Sequence, residues 1–250
     1  MLVPPPHQAP TVKPPRGHYR WSQTWRDLFF AHWRVPVRSL RPHVPDCLEI
    51  DTWHGDAWIS IVAFRLDVRL WRLPNFGLTS NFVELNLRTY VRWRDEPGIQ
   101  FLSIHAGHRL PVALARIMTP LPYDYAPFSY LVENGQGRIA CCSRHQEPLL
   151  QAEFSSSKDA ALVVSGSLDE WLLERYRAHV HDRRGNTFYT VAKHRPWSIH
   201  CVEAQVNAQL LGLPWRFDIS RPPDEAHFAD QMTAVLWPFS TIQSYMAVKP

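Results

Sequence analysis

Between Asn81 and Val91 the chain reads NFVELNLRTYV. With a period of two, Phe82, Glu84, Asn86, Arg88 and Tyr90 share one face, and Val83, Leu85, Leu87, Thr89 and Val91 share the other. A carboxylate, an amide and a guanidinium on one face either meet water or line a pocket. In a pocket, an unpaired carboxylate must find a partner or take up a proton. Arg88, two pleats along, is the expected partner of Glu84, directly or through Asn86; Arg116 and Arg144 are the other candidates. Such pairing could be a structural network that holds strand register. It could also be an anion site, with arginine gripping a carboxylate and Glu84 or His194 moving a proton.

The following stretch, QFLSIHA, alternates too. Strict alternation puts Phe101, Ser103 and His105 on one face and Leu102, Ile104 and Ala106 on the other, so Phe101 and Ser103 are expected beside the Glu84 face. Phe82, Tyr90, Phe101 and Trp197 are candidates for apolar walls. Other chemistries find little support. No glycine-rich phosphate loop, G-x-S-x-G, H-E-x-x-H or EF-hand loop occurs. Ser155 and Lys158 have the spacing of a nucleophile pair, but they stand in the polar stretch EFSSSKDA without companion motifs. His105 and His108 would share a side only on a helix, whereas His105 belongs to a strand; His179 and His181 fall at an expected helix end. No metal site is therefore expected, and no cofactor. Imine chemistry needs a lysine with a lowered pKa. Of Lys13, Lys158, Lys193 and Lys249, only Lys193 lies in a core-like segment, and it is expected to face outward beside Arg195.

These residues need a scaffold. The 250 residues are long enough for one substantial core, and 45% are hydrophobic. Twenty-two prolines and 11 tryptophans against 10 glycines point to short strands and fixed turns rather than a helical bundle. The net charge of +4 comes from arginine without a basic, aromatic-interleaved run, which argues against nucleic-acid binding and is compatible with anionic small molecules. Cys47, Cys141, Cys142 and Cys201 form no secreted-type framework and read as reduced, buried thiols of a cytoplasmic protein. Residues 1–17 are proline-rich without an apolar signal region and are expected to be a disordered tail before one domain over 18–250. No apolar run is long enough to span a bilayer. Exposed strands and many tryptophans allow a homodimer.

Along the chain, Trp25, Leu28, Phe29, His32 and Trp33 fit a helical stripe over 24–33, with His32 packed and hydrogen-bonded within it. A short turn of helix follows at 37–41. LEIDTW and AWISIVAFRLDVRL flank a hairpin turn at His54-Gly55-Asp56, and a loop with Pro74, Asn75 and Gly77 leads into NFVELNLRTYV. PVALARIMT reads as a helix. PFSYLVEN and GRIACCSRHQ read as a hairpin. Ser167 and Glu170 form a capping box for a second helix, with apolar Leu168, Trp171, Leu172 and Tyr176. Arg183–Asn186 turns into TFYTVAKH, VEAQVNAQLL alternates with a solvated face, and MTAVLWPF is a last strand. With about ten strands and no βαβ rhythm, the fold is expected to be mainly antiparallel β with outer helices.

The segments FFAHWRVPVRSLRPHVPDCLEIDTWHGDAWISIVAFRL, NFVELNLRTYV, GIQFLSIHA, ARIMTPLPYDYA and HRPW resemble the YqjF-like family, domain of unknown function 2071. The most specific pieces are His32-Trp33, Glu84-x-Asn86-x-Arg88-x-Tyr90, Leu121-Pro122-Tyr123 and His194-x-Pro196-Trp197. The resemblance runs from about Trp25 to Phe239. It implies an acetoacetate decarboxylase-like fold: a cone-shaped, mostly antiparallel β-barrel with an interior pocket. In that decarboxylase a strand glutamate enters the pocket and a helix-borne lysine pair supplies the imine nitrogen. Glu84 resembles the glutamate. The helix region resembles Leu114-Ala115-Arg116, which has no lysine, and a guanidinium is a poor amine nucleophile. His105 departs from the pattern, standing where an acidic residue is expected.

Two functional classes follow. One is a lyase or hydratase-like enzyme on a small keto or hydroxy acid, with Glu84 as acid/base, Arg116 as anion clamp and His194 as a second proton carrier. The other is a protein that binds a small anionic molecule without turnover, or a scaffold with a structural polar core. In the first two readings Asn86, Arg88, Tyr90, Phe101, Ser103, Tyr123, Arg144 and Trp197 contact the ligand.

Overall fold

Long stretches of β-branched and aromatic residues, punctuated by Pro, Gly and Asn, favour extended chain. In the computed structural model, which describes residues 15–70, 81–182 and 184–242, they form strands β1 (Trp21–Val35), β2 (Glu49–Ile50), β3 (Ala57–Leu70), β4 (Phe82–Trp93) and β5 (Glu96–Ala106). Strands β6 (Tyr123–Tyr125), β7 (Phe128–Glu133), β8 (Gln136–Cys142), β9 (Pro148–Ser156) and β10 (Ala161–Leu162) follow. The last are β11 (Arg177–His181), β12 (Thr187–Lys193), β13 (Ser198–Asn207), β14 (Glu225–Leu236) and β15 (Ser240–Thr241). The helices are α1 (Val37–Leu40), α2 (Arg109–Met118), α3 (Leu168–Leu173) and α4 (Gln209–Gly212).

Strands β12, β11, β5, β4, β3, β1 and β14 pair in that order, and β14 pairs back onto β12, closing a ring. Neighbours in the ring are antiparallel except β11 and β5. From β14 a second sheet continues through β13, β9, β8 and β7. Two cores result. Phe30, Trp58, Val62, Phe64 and Tyr90 pack inside the ring. Phe29, Trp33, Leu85, Ile139 and Phe154 pack between the ring's outer face and the second sheet. β4 is thus covered on both faces, and its Glu84, Asn86 and Arg88 face the interior of the ring.

Several local readings need correction. Residues 24–33 are part of strand β1, not a helix. Both faces of this strand are buried from Leu28 to Trp33, which makes its apolar run nearly continuous. A bulge between Arg26 and Phe29, with Asp27 at φ 53°, shifts its phase. Such a run satisfies a 3.6-residue template by chance. The turn at His54-Gly55 exists, with both φ positive at 50° and 91°, but β2 pairs with β4 rather than β3. His179 and His181 lie on β11, beyond the end of α3. Cys47 and Cys201 are exposed, whereas Cys141 is buried. Residues 1–14 of the proline-rich segment, the 71–80 loop and Arg183 lie outside the described residues. Among the described residues no helix is long and apolar enough to cross a membrane.

Other elements follow their signals. Asn134-Gly135, with φ of 50° and 76°, joins β7 to β8, because only residues tolerant of positive φ fit the tight turn that matches strand twist. Ser167 Oγ accepts the Glu170 N–H at 3.2 Å, and the Glu170 carboxylate accepts the Gly166 N–H at 2.7 Å. This cap starts α3, which plugs one end of the ring: Trp171 lies 4.7 Å from the Tyr90 ring, and Leu172 and Leu173 are buried. Ser167→Ala is expected to cost about 1 kcal/mol in urea unfolding. No measurable loss would show that the contacts of Trp171 and Leu172, not the cap, hold α3.

Candidate functional site

Inside the ring lies a cavity of about 200 Å³. Its polar wall is β4. Glu84, Asn86 and Arg88 line it, as do Tyr123 of β6, His194 just after β12 and Trp197 just before β13. Phe101 of β5 and Leu114, Ala115 and Met118 of α2 complete much of the apolar wall.

Glu84 is only 4% exposed. One carboxyl oxygen accepts the Tyr123 hydroxyl at 2.6 Å and the other accepts Asn86 Nδ2 at 3.2 Å. Burial pushes its pKa up to about 7, although these hydrogen bonds pull the other way. Burial and the adjacent Glu84 hold the Tyr123 phenol well above its ordinary range, so it stays a donor.

The expected Glu84–Arg88 pair does not form: no ion pair joins them among the described residues, and Glu84 is held by Tyr123 and Asn86. The reason is geometric, since residues four apart on a strand stand about 13 Å apart along the backbone. Arg88 Nε is buried without a hydrogen-bond partner in the protein. Its guanidinium carbon lies 5.8 Å from the Phe30 ring centre. Burial lowers its pKa, the Tyr90 oxygen favours its charged form, and nearby Arg175 opposes it.

Arg175, two residues past α3, also lines the cavity and was not anticipated. Its Nη1 donates to Asp51 Oδ2 at 2.6 Å and its Nε to the Trp171 carbonyl at 2.5 Å, while Nη2 has no partner in the protein. Nothing local signals this pair, because 124 residues separate Asp51 from Arg175. Glu174 was missed as well. Buried just after α3, it accepts the Tyr176 hydroxyl and the Trp197 N–H, the latter at 2.8 Å, and so ties the HRPW segment to the end of α3. The His194 ring stacks on Tyr176 at 4.5 Å, and its Nδ1–H donates to the Arg195 carbonyl at 2.7 Å. Burial lowers the His194 pKa, against the backbone carbonyls and Glu174, which favour the charged form.

Four of the named residues are placed elsewhere. Ser103 is on the outer face. A bulge between the Leu87–Ser103 and Arg88–Phe101 pairs makes Phe101 face inward while Ser103 and His105 stay with Leu87 and Leu85. Arg116 points away from the cavity, because α2 turns Leu114, Ala115 and Met118 toward it and Arg116 to the opposite side. Its Nε donates to the Tyr123 carbonyl at 2.7 Å and its Nη2 meets Asp124 at 2.9 Å, so it clips β6 to α2 and is no anion clamp. Arg144 is exposed at the turn between β8 and β9. Tyr90 lies behind the cavity wall, its hydroxyl 2.5 Å from Ser60 Oγ and 3.2 Å from His32 Nδ1. Lys158 and Lys193 are exposed, so no lysine among the described residues lines the cavity.

Comparison with known proteins sets this cavity in context. Residues 22–233 match the DUF2071 family, described as "Uncharacterized conserved protein". The chain belongs to the DUF2071 family. It is 35% identical over 241 residues to "Uncharacterized protein YqjF" of Bacillus subtilis (strain 168), covering 92% of this chain and 96% of that one. Solved structures with a similar fold include acetoacetate decarboxylase from Legionella pneumophila, at TM-score 0.62 and 14% identity, covering 93% of this chain and 92% of that one. The enduracididine biosynthesis enzyme MppR complexed with pyruvate aligns at TM-score 0.62 and 12% identity, over 96% of this chain and 95% of that one. An acetoacetate decarboxylase-like enzyme from Sphingomonas wittichii RW1 aligns at TM-score 0.62 and 11% identity, over 90% and 94%. The mainly β fold of this DUF2071 chain is therefore that of acetoacetate decarboxylase-like proteins.

Proposed function

We propose that the ring interior binds a small keto acid, with its carboxylate on Arg88 and Arg175 and its carbonyl end toward Glu84 and Tyr123. The observation that carries this reading is a set of unmatched polar atoms. Arg88 Nε, Arg175 Nη2 and Trp197 Nε1 are buried donors without partners in the protein, Asn86 Oδ1 is a buried acceptor without one, and all four residues line the cavity. Buried donors of this kind are costly unless a ligand or water meets them. Arg88 and Arg175 are close enough to oppose each other's charge, and of the two only Arg175 meets a carboxylate, Asp51, among the described residues, which makes this end of the cavity favourable for an anion. A carboxyl group titrating near 7 at the other end suits proton exchange with a carbonyl compound. Pyruvate in the MppR complex and the decarboxylases of similar fold belong to the same ligand class.

Proton transfer is the chemistry these residues support. Tyr123 and Glu84 would donate to a carbonyl oxygen or remove a proton from the adjacent carbon. The lysine-imine route has no nucleophile in the described cavity, and this favours a second reading: binding without turnover. Pyruvate and acetoacetate should give saturable heats in calorimetry at pH 6.5. Arg88→Leu should weaken binding at least tenfold, the loss of one charge-assisted contact. Turnover of acetoacetate or exchange of pyruvate methyl protons, abolished by Glu84→Gln, would favour an enzyme. Binding without either would favour a carrier or sensor. Saturation by no acid in the panel, or equal affinity in Arg88→Leu, would overturn the site.

A further inference from the structure

A second constellation lies outside the cavity. Asp169 sits in the first turn of α3. Glu225 and His227, two apart on β14, share one face of that strand. One ligand atom from each of the three lies within 4.8 Å of the others, and none of the three lines the cavity. His227 is buried, with Nε2 2.9 Å from Asp169 Oδ1, whereas the two carboxylates are partly exposed and open to solvent.

An independent feature is the set of groups behind His227. Its Nδ1 lies 3.3 Å from Nε2 of His32, which stands opposite Glu225 in the β1–β14 register and is fully buried. His32 Nδ1 in turn lies 2.6 Å from Ser60 Oγ. A histidine that ligates a metal through Nε2 carries its proton on Nδ1 and donates it to an outer partner, which fixes the ring. Here His32 Nε2 can accept that proton while its own Nδ1–H turns to Ser60. A histidine–aspartate pair serving structure alone needs neither a second carboxylate within 4.8 Å nor a buried relay behind it.

We propose that Asp169, Glu225 and His227 form a site for a divalent transition-metal ion of the Zn²⁺ class, with His32 as the outer partner of His227. One nitrogen and two carboxylate ligands suit a borderline cation, and three protein ligands leave a coordination position open. Closing the triad around an ion at ligand distances of about 2.0–2.2 Å needs only small side-chain rotations of the two partly exposed carboxylates. The site stands independently of the keto-acid reading.

The test uses the full chain without an affinity tag, stripped with EDTA and titrated with Zn²⁺ by calorimetry, with bound metal counted by mass spectrometry. One Zn²⁺ per chain is expected. Asp169→Asn and Glu225→Gln should each weaken it at least tenfold, with folding checked by circular dichroism. His32→Gln should weaken it about tenfold through the outer contact. His145→Gln, at the exposed β8–β9 turn, should bind as the parent does. His227→Gln can fail to fold because the ring is buried, so the carboxylate variants decide. No stoichiometric Zn²⁺, or equal affinity in the folded carboxylate variants, would overturn the site and mark any binding as adventitious.

Discussion

Asp51→Ala is expected to destabilise the protein by about 3–5 kcal/mol, a loss typical of breaking a buried ion pair from one side. The Asp51 and Arg175 side chains are 6% and 3% exposed, with Nη1 and Oδ2 2.6 Å apart. Arg92 also faces Asp51, at 3.7 Å. Without Asp51, the Arg175 guanidinium stays enclosed between Trp171 and Tyr90, 4.4 and 5.2 Å from their ring centres, with Arg92 and Arg88 as like-charged neighbours. Cation–π contact offsets only a fraction of that cost. Urea unfolding at pH 7 measures the loss. The double variant Asp51→Leu/Arg175→Met should recover most of it, because apolar replacement of both partners removes the stranded charge. A loss below about 1 kcal/mol for Asp51→Ala would show that water reaches Arg175 and that the pair behaves as a surface one.

The second large effect is the pH dependence that Glu84 imposes on stability. Its folded pKa, about 7, stands above its ordinary value of 4.5. Between these values the folded chain keeps a proton that the unfolded chain has lost, so stability falls as pH rises through this window. Above pH 7 the accumulated cost is about 3 kcal/mol, from the two values at about 1.4 kcal/mol per unit. Glu84→Gln cannot ionise and escapes it. The variant should therefore gain about 3 kcal/mol on the parent between pH 4.5 and pH 8 in parallel urea titrations. Burial lowers the pKa of His32, His179 and His194, which gives slopes of the opposite sign, but these are common to both proteins and cancel in the difference. A flat difference would mean that Glu84 titrates as an exposed carboxyl.

The Glu84 effect traces back to β4, whose alternation was legible at once. Its polar face reads the same whether it meets water or an interior; closure of β12 onto β14 is what made it interior. The hairpin at Asn134-Gly135 and the cap at Ser167 were legible because the responsible groups lie within a few residues. The helix expected over 24–33 failed because a strand covered on both faces loses its two-residue signature. Ser103 was misplaced because a single-residue bulge reverses every later side chain, and nothing in QFLSIHA marks it. Arg116 was on the expected helix but on its wrong side, a matter of about 100° per residue that only the docking of α2 decides.

By itself, then, the sequence determined what is local: mainly extended chain, the turns and the α3 cap, the absence of a lysine from the Leu114-Ala115-Arg116 stretch, and Glu84, Asn86 and Arg88 on one face. These follow from backbone sterics and side-chain period, which act over a few residues. The tertiary structure decided which charges meet. It joined Asp51 to Arg175, Glu84 to Tyr123 and Asp169 to His227, pairs separated by 124, 39 and 58 residues. Burial by the whole fold then raised the pKa of Glu84 and of Tyr123, because the cost of removing a charge from water depends on everything packed around it.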